Sequence, residues 1–423
     1  MSHGHDVLIV GGGLAGLACA LELYGAGVRP LVLEASDGVG GRVRTDLVEG
    51  FRLDRGFQVI LEAYPECRRV LDYEALQLRP FYPGAQIWTG ERFVRFADPL
   101  RHPGDAMAAL TAPVGSFSDK LRVARFRKEV MKGSAESLLQ GPDRSTLEDL
   151  RAQGFGPSII DGFFRPFFGG VLLNSRLTDS SRIFRYIFRM FSEGNTSVPR
   201  KGMGEIPLQL AGRLPEGAVR LGARVVEVAP GRVTLEGGEE LLGEAVVVAV
   251  EGPEAARLVP EIRAPGSKST VCLYFDAPEP PTRRPILVLD GEGKGPVNHL
   301  AVVSQVSPDY APPGRSLVSA SCLGLPPEDE GGLMRAVLGQ MERWFGARVS
   351  EWRHLRTYRI PHAQPVQDPG VLDPPERSVV VEPGLFVCGD HRETASLQGA
   401  LHSGRRAAEA VMARAQGTRT PGI

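Results

Sequence analysis

A chain of 423 residues is too long for one ordinary hydrophobic core, so two domains or interleaved modules are expected. Its 49 basic and 50 acidic residues leave a net charge of −1, which removes the electrostatic case for a nucleic-acid partner. Five cysteines without CxxC spacing argue against a zinc site or a disulfide framework, and suit a reducing, cytoplasmic compartment.

At the N-terminus, His3 and His5 of MSHGH read as a frayed end rather than a metal site, and no metal is expected. HDVLIVGGGLAGLACALEL has the apolar content of a signal peptide but no basic flank, and it carries internal glycines and Glu22. It reads instead as strand, turn and helix. DVLIV (6–10) is the kind of short apolar run that is buried in a parallel sheet. Gly11, Gly13 and Gly16 then match G-x-G-x-x-G, with Leu14 and Ala15 opening the helix. Those glycines permit a tight turn, close backbone approach to a pyrophosphate, and close helix–strand packing; the helix N-terminus offers its N–H groups to the phosphates. VRPLVLEAS (28–36) is a second apolar strand ending at Glu34 and Ala35. An acid about 20 residues past the glycines is placed to accept hydrogen bonds from ribose hydroxyls. In GVGGRVRT (38–45), Gly40 and Gly41 allow backbone approach to a ligand while Arg42 and Arg44 can face its phosphates.

Next come LDRGFQVI (53–60), containing Gly56 and Phe57, and an aromatic block at 155–191 in a chain with only 18 phenylalanines. Such density first suggests core. It also fits a wall of an apolar substrate cavity, formed by Phe163, Phe164, Phe167 and Phe168, or an interfacial surface, because Arg165, Arg182, Arg185 and Arg189 are interspersed. VPRKGMGEIPLQLAGRL (198–214) leads into a helix, and 223–250 reads as strand, hairpin and buried strand. Residues 263–379 read as an antiparallel sheet with one helix, EGGLMRAVLGQMERWFG. LFVCGD ends in Gly389 and Asp390, and GALHSGRRAAEAV continues as a helix before a tail, QGTRTPGI, expected to be disordered. No run reaches membrane-spanning length. There is no G-x-S-x-G elbow, so a serine hydrolase is not supported.

In this order the motifs resemble the superfamily of flavin-containing amine oxidases, protoporphyrinogen oxidases and phytoene desaturases. The resemblance implies an α/β, Rossmann-like FAD-binding domain made of 1–75, 196–262 and 380–423. Interleaved with it would be an α+β substrate domain of 76–195 and 263–379, with an antiparallel sheet and a helical, aromatic-rich part. It further implies that Gly56 and Phe57 lie close to the flavin and that the backbone of Val226 contacts the adenine. TYRIPHAQPV (357–366) would run from the substrate domain back to the flavin. The last strand would rejoin the parallel sheet and bring Asp390 near the ribityl and phosphate region. A helix opening at Leu397, Gln398, Gly399 and Ala400 would aim its dipole at the pyrimidine end of the flavin, where reduction places negative charge. FAD is long enough to need both helix termini, and no cysteine matches a linking position, so it would be held non-covalently.

Flavin dehydrogenation needs little beyond alignment of a C–H bond and exclusion of water, so a catalytic base is optional. None is assigned; His362 and His391 fit structural or phosphate-proximal roles better. The family's amine oxidases place a lysine at the start of a substrate-domain strand, where this chain has Thr270, with Lys268 two residues earlier on the same face. They also carry an aromatic residue before the final helix, where this chain has Ser396. Both departures favour a small apolar substrate, isoprenoid, carotenoid-like or tetrapyrrole, with hydride passing to flavin N5 and oxygen or a quinone as electron acceptor. Oxidation of amines or amino acids is the alternative, and a redox-neutral isomerase or binding protein with structural FAD is a third. Peripheral membrane contact is left open because lipophilic substrates partition into bilayers.

Overall fold

The computed structural model describes residues 5–97, 101, 104, 111–263 and 265–417. His3 and nearly all of the terminal tail lie outside them. A six-stranded sheet runs in the order Val219–Arg220, Pro30–Leu33, Val7–Val10, Ala245–Val248, Leu385–Val387, Val380–Glu382. All its pairings are parallel except the last, where the edge strand turns back on its neighbour. Each residue of the three strands at 7–10, 30–33 and 245–248 is buried, because both faces are covered. Val7, Ile9, Val247 and Phe386 pack against Ala15, Cys19, Ala407 and Ala408 of the first and last helices, Leu14–Gly25 and Leu397–Gly417. Leu8, Val10, Val246 and Val387 point the other way, onto the helix Gly252–Leu258 and a small antiparallel sheet, Val225–Ala229, Arg232–Leu235 and Glu240–Leu242. The two-residue period of a strand thus sorts one apolar run into two cores.

A seven-stranded sheet forms the other part, in the order Arg353–Pro365, Ser267–Ala277, Ser316–Leu323, Val297–Val302, Leu287–Asp290, Gly84–Trp88, Phe93–Ala97. Its last two strands come from the segment before the aromatic block, which the sequence reading left without strands. Gly84–Trp88 joins Leu287–Asp290 in parallel, so the sheet expected to be wholly antiparallel is mixed at that junction. The helix Glu330–Phe345 covers one face through Leu333, Val337 and Met341.

The aromatic block is helical, with a π-helical turn at Ile160–Phe164 running into Arg165–Val171, followed by Ser181–Glu193. Phe164 and Phe168 are 0% and 1% exposed and ring-packed against Phe184, so these two are core. Phe163 and Phe167 are half-buried and stack on each other, with Phe96 against Phe163. Only that pair of the four retains surface for a substrate wall. The interspersed arginines do not make a cationic interface. Arg165 pairs with Asp161, Arg185 with Asp149 and Glu129, and Arg189 with Glu193, while Arg182 donates to the carbonyls of Gly141 and Leu372. No described helix is long and apolar enough to cross a membrane.

One buried carboxyl ties several segments together. Asp54, at the end of the strand Phe51–Asp54, accepts from Thr45 Oγ1 (2.6 Å), Met203 N (2.9 Å) and Tyr310 Oη (2.9 Å). Its own carbonyl accepts from Tyr274 Oη at 2.9 Å. Burial outweighs these hydrogen bonds and pushes its pKa up from the ordinary 3.8 to about 6. The folded state therefore takes up a proton here as pH falls through about 6, before the unfolded chain does. Wild type should gain stability relative to Asp54→Asn as pH falls from 7 to 5, by about 1 kcal/mol, in paired chemical-denaturation curves. A difference that is flat or shrinks over that range would contradict the assignment.

Candidate functional site

The glycine loop joins the strand Val7–Val10 to the helix Leu14–Gly25. Gly11 has φ +108°, and a Cβ there would lie 2.8 Å from the carbonyl oxygen of Ala249. At Gly16 a Cβ would collide with the carbonyl of Gly11, so the helix can pack this close to the turn only on glycine. Gly13, the residue before the helix, has open space where its Cβ would stand. No side chain caps that helix, and its first turn holds no acid. Free N–H groups thus face an open side of the loop, an arrangement suited to a pyrophosphate.

Glu34 folds onto the same loop. Its Oε2 accepts from Gly12 N at 2.7 Å, and its Oε1 from Ser36 N and Oγ at 2.8 and 2.7 Å. Ala35 beside it is exposed. The second glycine loop lies against the first: Gly40 N donates to Gly12 O at 2.8 Å, and a Cβ on Gly41 would be 3.6 Å from Gly13 Cα. Arg42 reaches across to the other end of the chain, with Nη2 2.8 Å from Asp390 Oδ1 and Nη1 donating to Ala363 O at 3.0 Å. Arg42, Glu251, Gly252, His362, Gln364 and Asp390 line one small cleft.

Asp390 follows Gly389 at the end of the last parallel strand, and Gly389 N donates to the buried Ser403 Oγ at 3.0 Å. His391 is buried with neither ring nitrogen hydrogen-bonded, and burial pushes its pKa down to about 4 against the pull of Asp390. His362 Nδ1 is likewise buried without a partner. Ser396 Oγ accepts from Gly399 N at 3.0 Å, which caps the last helix. Gln398 is turned outward from the helix and accepts from Glu66 N at 2.7 Å, while Leu397 and Ala400 are half-buried. Gly56 has φ +92°, and a Cβ there would lie 2.6 Å from Ile360 Cδ1, while Phe57 lies 5.3 Å, centroid to centroid, from the His299 ring and 6.0 Å from Phe81. His299 is buried and pushed down to about 4 by that burial, so it is neutral near pH 7.

Val226 stands apart. Its side chain is exposed, at a bulge in the strand Val225–Ala229, and its carbonyl accepts from Arg257 Nη1 at 3.3 Å. Lys268 differs from expectation. The strand shifts register between Lys268 and Thr270, so simple two-residue alternation does not relate them. The Lys268 ammonium is committed to a buried ion pair with Asp179 and to the carbonyl of Leu172, and Thr270 Oγ1 donates to Cys322 O. Sequence reasoning missed His299 and the Arg42–Asp390 pair, neither of which leaves a local signal, whereas Asp54 is the acid of the D-x-G stretch within LDRGFQVI.

The open loop at Gly13, the uncapped helix, Arg42 and the orphaned His391 nitrogens fit a dinucleotide whose phosphates pass the glycine loops. Cys388 is buried in the sheet with its thiol pushed up to about 12, which suits a non-covalent cofactor. Comparisons with known proteins point the same way. The family model described as flavin containing amine oxidoreductase matches residues 14–412. Protoporphyrinogen oxidase 2 of Arabidopsis thaliana is 28% identical over 167 residues, 40% of this chain and 32% of the relative. L-amino acid oxidase Cdc18 of Crotalus durissus cumanensis is 28% identical over 245 residues, 54% of this chain and 47% of the relative. Both matches therefore span less than half of the relative's own length. A crystal structure of an oxidoreductase from Methanosarcina mazei shares the fold, with a TM-score of 0.75 at 17% identity, covering 96% of this chain and 100% of that one.

Two glycine substitutions separate fold from ligand. Gly13→Ala, which adds a methyl into open space, should leave the melting temperature of flavin-free protein within about 1 °C and sharply lower its flavin content. Gly16→Ala should lower both, because its methyl collides with backbone. Equal flavin content in wild type and Gly13→Ala, measured after gel filtration, would remove the loop from the cofactor site.

Proposed function

The chain belongs to the flavin-containing amine oxidoreductase family of FAD-dependent oxidoreductases, and from that premise we propose that it dehydrogenates a lipophilic substrate of isoprenoid, carotenoid-like or tetrapyrrole class. Bound FAD would supply the hydride acceptor. Gly11, Gly13, Gly16, Glu34, Gly41, Arg42 and Asp390 would hold its dinucleotide part. Gly56 and Phe57 would border its ring.

The observation that carries the substrate class is the commitment of Lys268. Its side chain is 10% exposed and its ammonium is bound to Asp179, so it does not stand free to hold a water for amine chemistry. The neighbours of Phe57 support the same reading. Phe81 and a neutral His299 give an uncharged lining, which favours apolar surface and offers no carboxylate to an ammonium substrate. The half-buried Phe163 and Phe167 extend the aromatic surface. Oxygen or a quinone would reoxidise the flavin. Contact with a bilayer would fall on Phe117 and Leu121, which are exposed and one turn apart at the start of the helix Phe117–Val130. Oxidation of amines or amino acids is the competing reading, and the likeness to an L-amino acid oxidase supports it.

Anaerobic bleaching of the bound flavin's yellow absorbance separates the two. Detergent-solubilised isoprenoids or porphyrinogens should bleach it, and primary and secondary amines or L-amino acids should not. Bleaching by amines or amino acids alone would overturn the proposal. A flavin that none of them bleaches would favour redox-neutral chemistry.

A further inference from the structure

A cleft of about 480 Å³ opens at the outer edge of the parallel sheet, against Val387 and the edge-strand residue Val381. None of the glycine-loop residues or Arg42 lines it; its polar wall is Arg263, Arg377, Arg392 and the single acid Glu261.

The surroundings do not balance this charge. Arg377 donates only to backbone carbonyls, to Val371 O at 2.6 Å and His391 O at 3.3 Å. Arg392 Nη2 donates to Ser378 O at 2.6 Å, and its Nε is buried without any hydrogen-bond partner. Arg263 is exposed and makes no ion pair among the described residues. Glu261 is exposed and makes no ion pair among the described residues, so one carboxylate stands against three guanidiniums. Of the other nearby acids, Glu393 is bound by Arg406 and lies 3.5 Å from His402, and Glu376 lies 3.6 Å from Arg406. The same guanidinium argues against a cation in the Glu376–Glu393–His402 cluster. Burial first, then repulsion from Arg377 and Arg406, pushes Arg392 below the ordinary arginine range, with Glu393 only partly opposing. Burial alone does so for Arg377.

Half-buried guanidiniums held by carbonyls and facing a common space are stabilised by an oxyanion that accepts several charge-assisted hydrogen bonds at once. The cleft is far larger than an inorganic phosphate ion, and the exposed Val380 and half-buried Val381 add apolar surface beside the arginines. We propose that the Arg263–Arg377–Arg392 cleft binds a small phosphate ester, with the phosphoryl oxygens on the arginines and the organic part against the valines. This site requires no step of the flavin chemistry.

The test is calorimetric titration of flavin-loaded protein at fixed ionic strength with glycerol 3-phosphate, inorganic phosphate and, as a control, chloride. Glycerol 3-phosphate should bind saturably at one site and about tenfold more tightly than inorganic phosphate, with the flavin spectrum retained. Arg392→Gln and Arg263→Gln should each weaken it about tenfold. Arg263→Gln is the safeguard, since its exposed side chain holds no part of the fold together. No saturable heat, or unchanged affinity in both variants, would overturn the site. Equal affinity for the two phosphates would overturn the ester assignment.

Discussion

Gly404 leaves no room for a side chain: a Cβ there would collide with the carbonyl oxygen of Ala15. The first and last helices are therefore in backbone contact, with Ala407 and Ala408 continuing the small-residue seam toward the sheet. Everything proposed for the cofactor depends on this contact, because it brings segments nearly 400 residues apart in sequence to one face of one sheet. Gly404 is seven residues into the last helix, so about 10 Å of that helix precedes the contact. That offset would let one helix terminus serve the phosphates of the proposed cofactor while the other reaches toward its ring.

Two of the buried carboxylates, Asp54 and Asp179, join separate segments of the chain. Asp54 joins the strand pair at 45–54 to the turn at Met203 and to Tyr310. Asp179 joins the end of the aromatic block to the strand bearing Lys268. Such pairs add little net stability over apolar packing, and breaking one partner is costly, so their main effect is to fix which segments meet. The Lys268 pair has a functional corollary, since an ammonium locked to a carboxylate is lost to the chemistry that a free one would perform.

The parallel-sheet half of the molecule was legible because the requirements of its glycine loops fall on the backbone. Positions that need glycine, a helix opening with free amides, and an acid at fixed distance leave marks in the residue order, and Gly11, Gly13, Gly16, Glu34 and Gly41 indeed gather at one place. The part built from the aromatic block and the mixed sheet depends on side-chain geometry, which leaves weaker marks. Four phenylalanines within six positions look equivalent in sequence, yet the π-helical turn at 160–164 rotates Phe164 into the core and leaves Phe163 at its margin. The strands at 84–97 pair with each other as a hairpin, and only Gly84–Trp88 joins the larger sheet, through a partner 200 residues away. A bulge separated Lys268 from the alternation assumed for it, and no local pattern announces an Arg42–Asp390 pair between opposite ends of the chain.

The central claim is that the two chain ends close on one cofactor through Arg42 and Asp390. A double-mutant cycle on flavin dissociation tests it most directly, using Arg42→Gln, Asp390→Asn and the double variant, each checked for an unchanged circular dichroism spectrum. The account predicts faster flavin release in both single variants and a double variant little worse than either, because the residues act as a unit. Release rates equal to wild type in folded single variants, or strictly additive effects, would contradict it.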